Sequence, residues 1–244
     1  MVNIFRRWFG ASRGEARPAV ADWARSAGHR FAYSREGSGF VVEAASGAAP
    51  WRLEWGAPQR RYIEGAELRL RSEIGVVTDL QMLVLTRPLM ALLEQQVFED
   101  FTEGKQTRMD DDTPEEMRWL VLYPKVPRAE LGPLRERFAA LSNRPRAAPM
   151  WLDGPLALQL DASSAWLAEN QPMLLVVQRG RLTLRLQQAQ PEVAVLQAAL
   201  GLYGVALAAA RRVAKEVSHG AIGSERPSTW GAPSVMPPSD APPR

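Results

Sequence analysis

The sequence predicts an α+β fold: two strand–helix lobes with mainly antiparallel sheet, a long C-terminal helix and a flexible Pro-rich tail. Three observations carry this expectation. Runs of period two appear in each half and give way to runs of helical period. An apolar stretch near the C-terminus is too long for a strand. Six prolines fall within residues 218–244 with almost no apolar clustering. The implied organisation is a cationic aromatic N-terminal segment and linker (1–17), a first lobe (18–104), a second lobe ending in the apolar helix (105–217), and a disordered tail (218–244).

The elements follow from local pattern. Pro18 suits a first helical turn and Gly28 a helix end, so 18–27 reads as a helix burying Val20, Trp23, Ala24 and Ala27. Phe31 and Tyr33 alternate with polar neighbours, Gly37-Ser38-Gly39 turns the chain, and Phe40-Val41-Val42 forms a second strand. Trp51, Leu53 and Trp55 share one face of a third strand, with Arg52 and Glu54 on the other. Ala66, Leu68 and Leu70 alternate with Glu67, Arg69 and Arg71, which predicts a strand with a charged outer side. Leu80 to Leu85 is continuously apolar, as in a central strand covered on both faces. Pro88 then opens a helix with Leu89, Leu92, Leu93, Val97, Phe98 and Phe101 near helical spacing, closed by Gly104.

In the second half, Thr113-Pro114-Glu115-Glu116 has the form of a capping box, with Glu116 reaching back to the Thr113 amide. Trp119 to Tyr123 reads as a strand stopped by Pro124, and 128–142 as a helix with Leu131, Leu134, Phe138 and Leu141 on one stripe. Leu156 to Leu160 is a strand candidate and Ser163 to Glu169 a short helix. Met173–Val177 and Leu182–Leu186 flank a hairpin connection at Gln178-Arg179-Gly180-Arg181. The last element runs from Pro191 to Val217. Its stretch Val193–Ala210 has Gln197 as its polar residue and is long enough to span a bilayer. Its alanines, with Gly201 and Gly204, favour a buried or interface helix instead, because small side chains allow close approach.

Composition narrows the chemistry. The 244 residues include no cysteine and two histidines, His29 and His219, which excludes disulfides, thiol nucleophiles, thiolate zinc sites and iron–sulfur clusters. The Gly-x-Ser-x-Gly spelling at Gly10-Ala11-Ser12-Arg13-Gly14 falls in the linker rather than between a strand and a helix, so it does not read as a nucleophile elbow, and no glycine-rich phosphate fingerprint occurs. No catalytic residue, metal site or cofactor is therefore assigned. The formal charge is +3, and all 30 basic residues except Lys105, Lys125 and Lys215 are arginine. Charge is uneven: six arginines face Glu15 and Asp22 within residues 1–30, whereas nine acids face Lys105 and Arg108 within 94–116. Such patches meet within a fold, between subunits or across a partner interface.

Three surfaces are candidates for contact. Arg60, Arg61, Arg69 and Arg71, with Arg179, Arg181 and Arg185, form a partner- or anion-binding surface if both sets share one outer sheet face. Trp51 and Trp55 alternate away from that face, which argues against nucleic acid, whose bases need exposed aromatic platforms. Asp110, Asp111, Asp112, Glu115 and Glu116 form an acidic patch; its spacing does not match a calcium loop and suits a helix N-terminus. Helical spacing in residues 2–9 gathers Phe5, Trp8 and Phe9 beside Arg6 and Arg7, a membrane or docking element. Trp230 is the one aromatic hook of the tail. The leading expectation is a cytoplasmic, non-enzymatic binding or assembly protein of adaptor type, acting through a protein partner or self-association. Two other readings stand beside it: a peripheral membrane-associated adaptor at the inner membrane, anchored by residues 2–9, and a carboxylate- or metal-dependent hydrolase.

Overall fold

The computed structural model describes residues 16–34, 39–45, 50–76, 79–102 and 114–220. Phe5, Trp8, Phe9, the Asp110–Asp112 run, the Thr113 cap and Trp230 lie outside the described residues. Within them, eight strands form one antiparallel sheet in the order β1-β2-β3-β4-β8-β7-β5-β6. The strands are β1 (Arg30–Tyr33), β2 (Phe40–Glu43), β3 (Arg52–Gly56), β4 (Glu67–Glu73), β5 (Met82–Thr86), β6 (Phe138–Ser142), β7 (Met173–Gln178) and β8 (Arg181–Gln187). The fold is α+β. Its two strand–helix groups share the one sheet, because the β7–β8 hairpin of the second half sits between β4 and β5 of the first.

The sheet has two unlike faces, set by strand alternation. One is apolar from end to end, with Phe40, Val42, Leu53, Leu68, Leu70, Leu184, Leu175, Met82 and Ala140 in a continuous core. It is covered by α1 (Ala16–Ser26), α4 (Ala147–Leu152), α5 (Pro155–Ala162) and the long α6 (Val193–Ser218). The other face is divided. Over β6, β5 and β7 it is apolar, and α2 (Arg87–Thr102) and α3 (Glu115–Leu122) bury Leu83, Leu85, Leu141 and Leu174 beneath Leu89, Leu93, Met117, Trp119 and Leu120. Over β8, β4 and β3 it is charged. All five positions of β5 are buried, as the apolar run Leu80–Leu85 predicts.

Five local expectations are corrected. Trp119–Tyr123 is not a strand: residues 115–122 are helical, with Glu116, Met117, Trp119 and Leu120 on the buried side and extended Tyr123 ahead of Pro124. The stop at Pro124 is the one read from sequence; the period of so short an apolar run does not fix its type. Residues 128–142 are not one helix. Arg128–Glu136 is 3-10 structure kinked at Gly132 (φ 51°) before Pro133, which has no N–H to give, and Phe138–Ser142 is β6. Leu156–Leu160 belongs to α5, which starts with Pro155 at its first position after Gly154 (φ 71°) and buries Leu156 and Leu160 one turn apart. Ser163–Ala165 is a single 3-10 turn. In α1, Ala21 takes the buried place expected of Ala27.

The β7–β8 connection has the backbone of a two-residue type I′ turn, with φ 49° at Arg179 and 72° at Gly180 between paired Gln178 and Arg181. That turn matches strand twist but forces a β-carbon into the left-handed region at its first position. Arg179 is the one described non-glycine residue with positive φ. Its exposed ion pair with Glu115 (2.8 Å) returns little. Arg179→Asn is therefore expected to raise stability by about 0.5 kcal/mol, read as a higher urea midpoint at unchanged slope. A lower midpoint would show that the ion pair outweighs the backbone strain.

Candidate functional site

Four of the seven arginines singled out from sequence share one side of β4 and β8, and acids meet them there. On the charged half of the sheet, Arg69, Arg71, Arg181 and Arg185 project from neighbouring positions of β4 and β8. Glu67 is fully buried and accepts from Arg69 Nη1 (3.0 Å), Arg185 Nη1 (2.5 Å) and the Gln59 amide (2.7 Å). Glu54 accepts from Arg52 (2.6 Å), Arg69 (3.2 Å) and Arg71 (2.6 Å). Arg181 pairs with Glu73 at 2.7 Å. The expected outer side of β4 is thus an internal ladder of ion pairs, and its donors are directed at the protein's own carboxylates. Arg61 is exposed on the loop after β3.

The acidic group divides in the same way. Glu116 is 4% exposed and accepts from Arg60 Nε (2.5 Å) and from the Tyr62 hydroxyl. It does not form a surface patch. Glu115 pairs with Arg179. Glu115 and Glu116, the described acids at the end of the 94–116 run, thus meet Arg179 and Arg60 within the fold and not the arginines of residues 1–30.

Burial pushes both the Glu116 and the Glu54 carboxyls up, but their arginines outweigh it. Arg60, with Tyr62, holds Glu116 below the ordinary carboxylate value of 4.5; Arg52, Arg71 and Arg69 do the same for Glu54. A carboxyl with a folded pKa below its unfolded one adds stability above the unfolded value, and loses it as pH falls through the folded value. Stability is expected to be flat from pH 7 to about pH 5 and to fall below the ordinary carboxylate range. Glu116→Gln, followed by urea midpoints across pH 2.5–7, is expected to shrink that fall. An unchanged pH profile would count against the Arg60–Glu116 pair.

Helix α6 presents a different surface. Leu196, Ala199, Leu202, Tyr203, Ala206, Leu207, Ala210, Val213, Ala214 and Val217 are buried against the apolar face and its helices. Polar contacts fix the helix along its length. The Tyr203 hydroxyl donates to Leu182 O (2.9 Å), Trp151 Nε1 to Ala206 O (3.0 Å), Arg212 to Met150 O (2.9 Å) and Arg211 to Glu73 O (3.1 Å). By length and composition α6 is also the one described helix that can cross a bilayer, with mean hydropathy 1.9 over 18 residues, of which 39% are buried in the protein.

The outward line of α6 is Ala194, Gln197, Gly201, Gly204 and Ala208, all exposed and spaced three and four apart. It spans about 21 Å without a charge. Neither glycine serves packing within the described fold: a β-carbon at Gly201 or Gly204 would meet nothing within 4 Å. The close approach expected of these small residues is not made to the sheet. Beside them lies an apolar groove of about 460 Å³, floored by Gly201, Gly204 and Ala208 and walled by His29, Trp51 and Leu200, with Arg211 at one end. His29 is held there by the Ala45 amide (3.2 Å to Nδ1) and by edge-on rings of Trp23 and Trp51. A second depression of about 660 Å³ at the strand ends shares Trp51, but its Arg52, Arg71 and Arg181 are those already paired.

Among the described residues no group of three or more His, Asp or Glu side chains is placed to hold a metal ion. Compared with protein-family models, curated proteins and solved structures, the chain matches none. The groove is not legible in the sequence, because His29 and Trp51 reach α6 from segments distant along the chain. The glycine line itself carried a signal: small or uncharged residues at 194, 197, 201, 204 and 208, out of phase with the large apolar residues at 196, 202, 203 and 207.

Proposed function

We propose that this chain is a non-enzymatic assembly protein that binds another protein chain through the outer face of α6. The observation supporting this reading most directly is the pair of open helix glycines. Glycine inside a helix costs about 1 kcal/mol relative to alanine, and at Gly201 and Gly204 nothing in the described fold offsets it. A missing β-carbon there gives an approaching backbone access to an uncharged face of about 21 Å. The arginine surface supports the reading less, since its donors already have carboxylate partners.

A photo-cross-linking residue in place of Gln197 in the full chain, expressed in the source cell, is expected to give a discrete protein adduct. The same residue in place of exposed Glu130 is expected to give none. Gly201→Leu with Gly204→Leu places side chains in open space. It is expected to keep or raise the melting temperature while reducing the Gln197 adduct about tenfold, as when bulk is placed at a contact centre. Equal adducts from both positions, or an adduct indifferent to the leucines, would remove this face as the binding surface.

A further inference from the structure

We infer that the tail segment 227–233, with Trp230 as its anchor, docks in cis into the groove between α6 and the His29–Trp51 wall. The groove has the form such an occupant needs. Its floor has no side chain at Gly201 and Gly204, its walls are the rings of His29 and Trp51, and its volume of about 460 Å³ is that of a small-ligand site. Aromatic walls over a bare floor suit proline-rich segments, whose extended backbone is already ordered and loses little entropy on docking.

Chain geometry permits the contact. The chain runs about 13 Å from Arg211, at the groove's end, to Gly220, and the groove extends about 15 Å further back to Gly201. Trp230 follows Gly220 by ten residues, which span up to about 33 Å when extended. The return path is covered with reach to spare. Charge is compatible with the same segment. The last turns of α6 carry Arg211, Arg212 and Lys215 against Glu216, and on the path from them to Trp230 Glu225 and Arg226 balance one another. Residues 227–239 then carry no charge, as the apolar groove requires. The N-terminal segment, with Arg6, Arg7 and Arg13 against Glu15, is the poorer match to that basic end. Tethering gives the segment a local concentration in the millimolar range, so a weak contact fills the groove. A partner seated on the same glycines must displace it.

The chain has no cysteine, so an introduced pair reports proximity without background. Full-length protein carrying Ala208→Cys and Ser228→Cys is oxidised mildly and compared with Ala208→Cys and Ser239→Cys. The first pair is expected to close within one chain at least about tenfold faster than the second. Trp230→Ala, and separately Gly204→Leu, which fills the floor, are each expected to bring the fast rate down to the slow one. Equal rates for the two pairs, or a fast rate that survives both substitutions, overturn the docking. A disulfide-linked dimer as the main product overturns its placement in cis. Loss of tail contact and loss of assembly are read separately. Unaltered closure rates with a lost Gln197 adduct sink the docking and leave the assembly surface standing. Slowed closure with an adduct indifferent to the leucines supports the docking and removes the assembly reading.

Discussion

Glu67→Ala is expected to destabilise the protein by about 3–5 kcal/mol, the cost of leaving buried cations without their counter-charge. The Glu67 side chain has no exposed surface and accepts from Arg69, Arg185 and the Gln59 amide. Removing it leaves Arg69, itself 9% exposed, with Glu54 as its remaining carboxylate partner, and strands Arg185 in a nearly closed site. Water cannot enter freely to replace the lost carboxylate, because the chain around Gln59 to Ile63 folds over this end of the ladder. The measurement is the urea midpoint against the parent, with the slope tested for constancy. A loss under about 1 kcal/mol would mean the ladder is solvated like a surface pair. A sharper control replaces Glu67, Arg69 and Arg185 together by leucine. A buried ion-pair cluster exchanged for apolar side chains is often neutral or stabilising, so the triple variant is expected to recover much of what the single one loses.

Trp151→Ala is expected to cost about 3–5 kcal/mol by a different route, the loss of a large buried ring and the cavity left behind. Trp151 is fully buried on α4, among the largest side chains of the core, and its indole N–H donates to the Ala206 carbonyl of α6. It thereby ties the helix carrying the outward glycines to the body of the fold. Trp151→Phe keeps most of the volume and loses the donor, and is expected to cost about 1–2 kcal/mol. The contrast is measured by thermal and urea unfolding. Equal losses from the two variants would assign the effect to the hydrogen bond and not to packing.

Much of the fold can be read from local pattern. The strands β1 to β5, β7 and β8, and the helices α1, α2 and α6, lie close to where periodicity and the proline and glycine signals place them. These segments are long or cleanly alternating, so one period wins. The errors fall where an apolar run is short and both periods fit. Trp119–Tyr123 and Leu156–Leu160 are helical because their neighbours in space, Tyr62 and Ile63 for the first and α6 for the second, accept a helical face. In 128–142, Gly132-Pro133 was a visible break, and only pairing with β5 makes Phe138–Ser142 a strand.

The candidate surfaces were less legible. Arginine on alternate positions of β4, and again on β8, puts the charges of each strand on one side, since alternation is a property of the strand alone. That the same face holds Glu54 and fully buried Glu67 depends on which strands become neighbours and on the loop that covers them, so its character as an internal ladder is tertiary. The long apolar helix, the absence of thiol chemistry and the alternation of charge along β4 were determined by the sequence itself, because each depends on residue identity and spacing along one segment. The insertion of β7–β8 between β4 and β5, the outward turn of Gly201 and Gly204, and the groove beside His29 and Trp51 were decided by the tertiary structure. Each depends on contacts between residues tens to more than a hundred positions apart, and a local pattern carries no record of its distant neighbours.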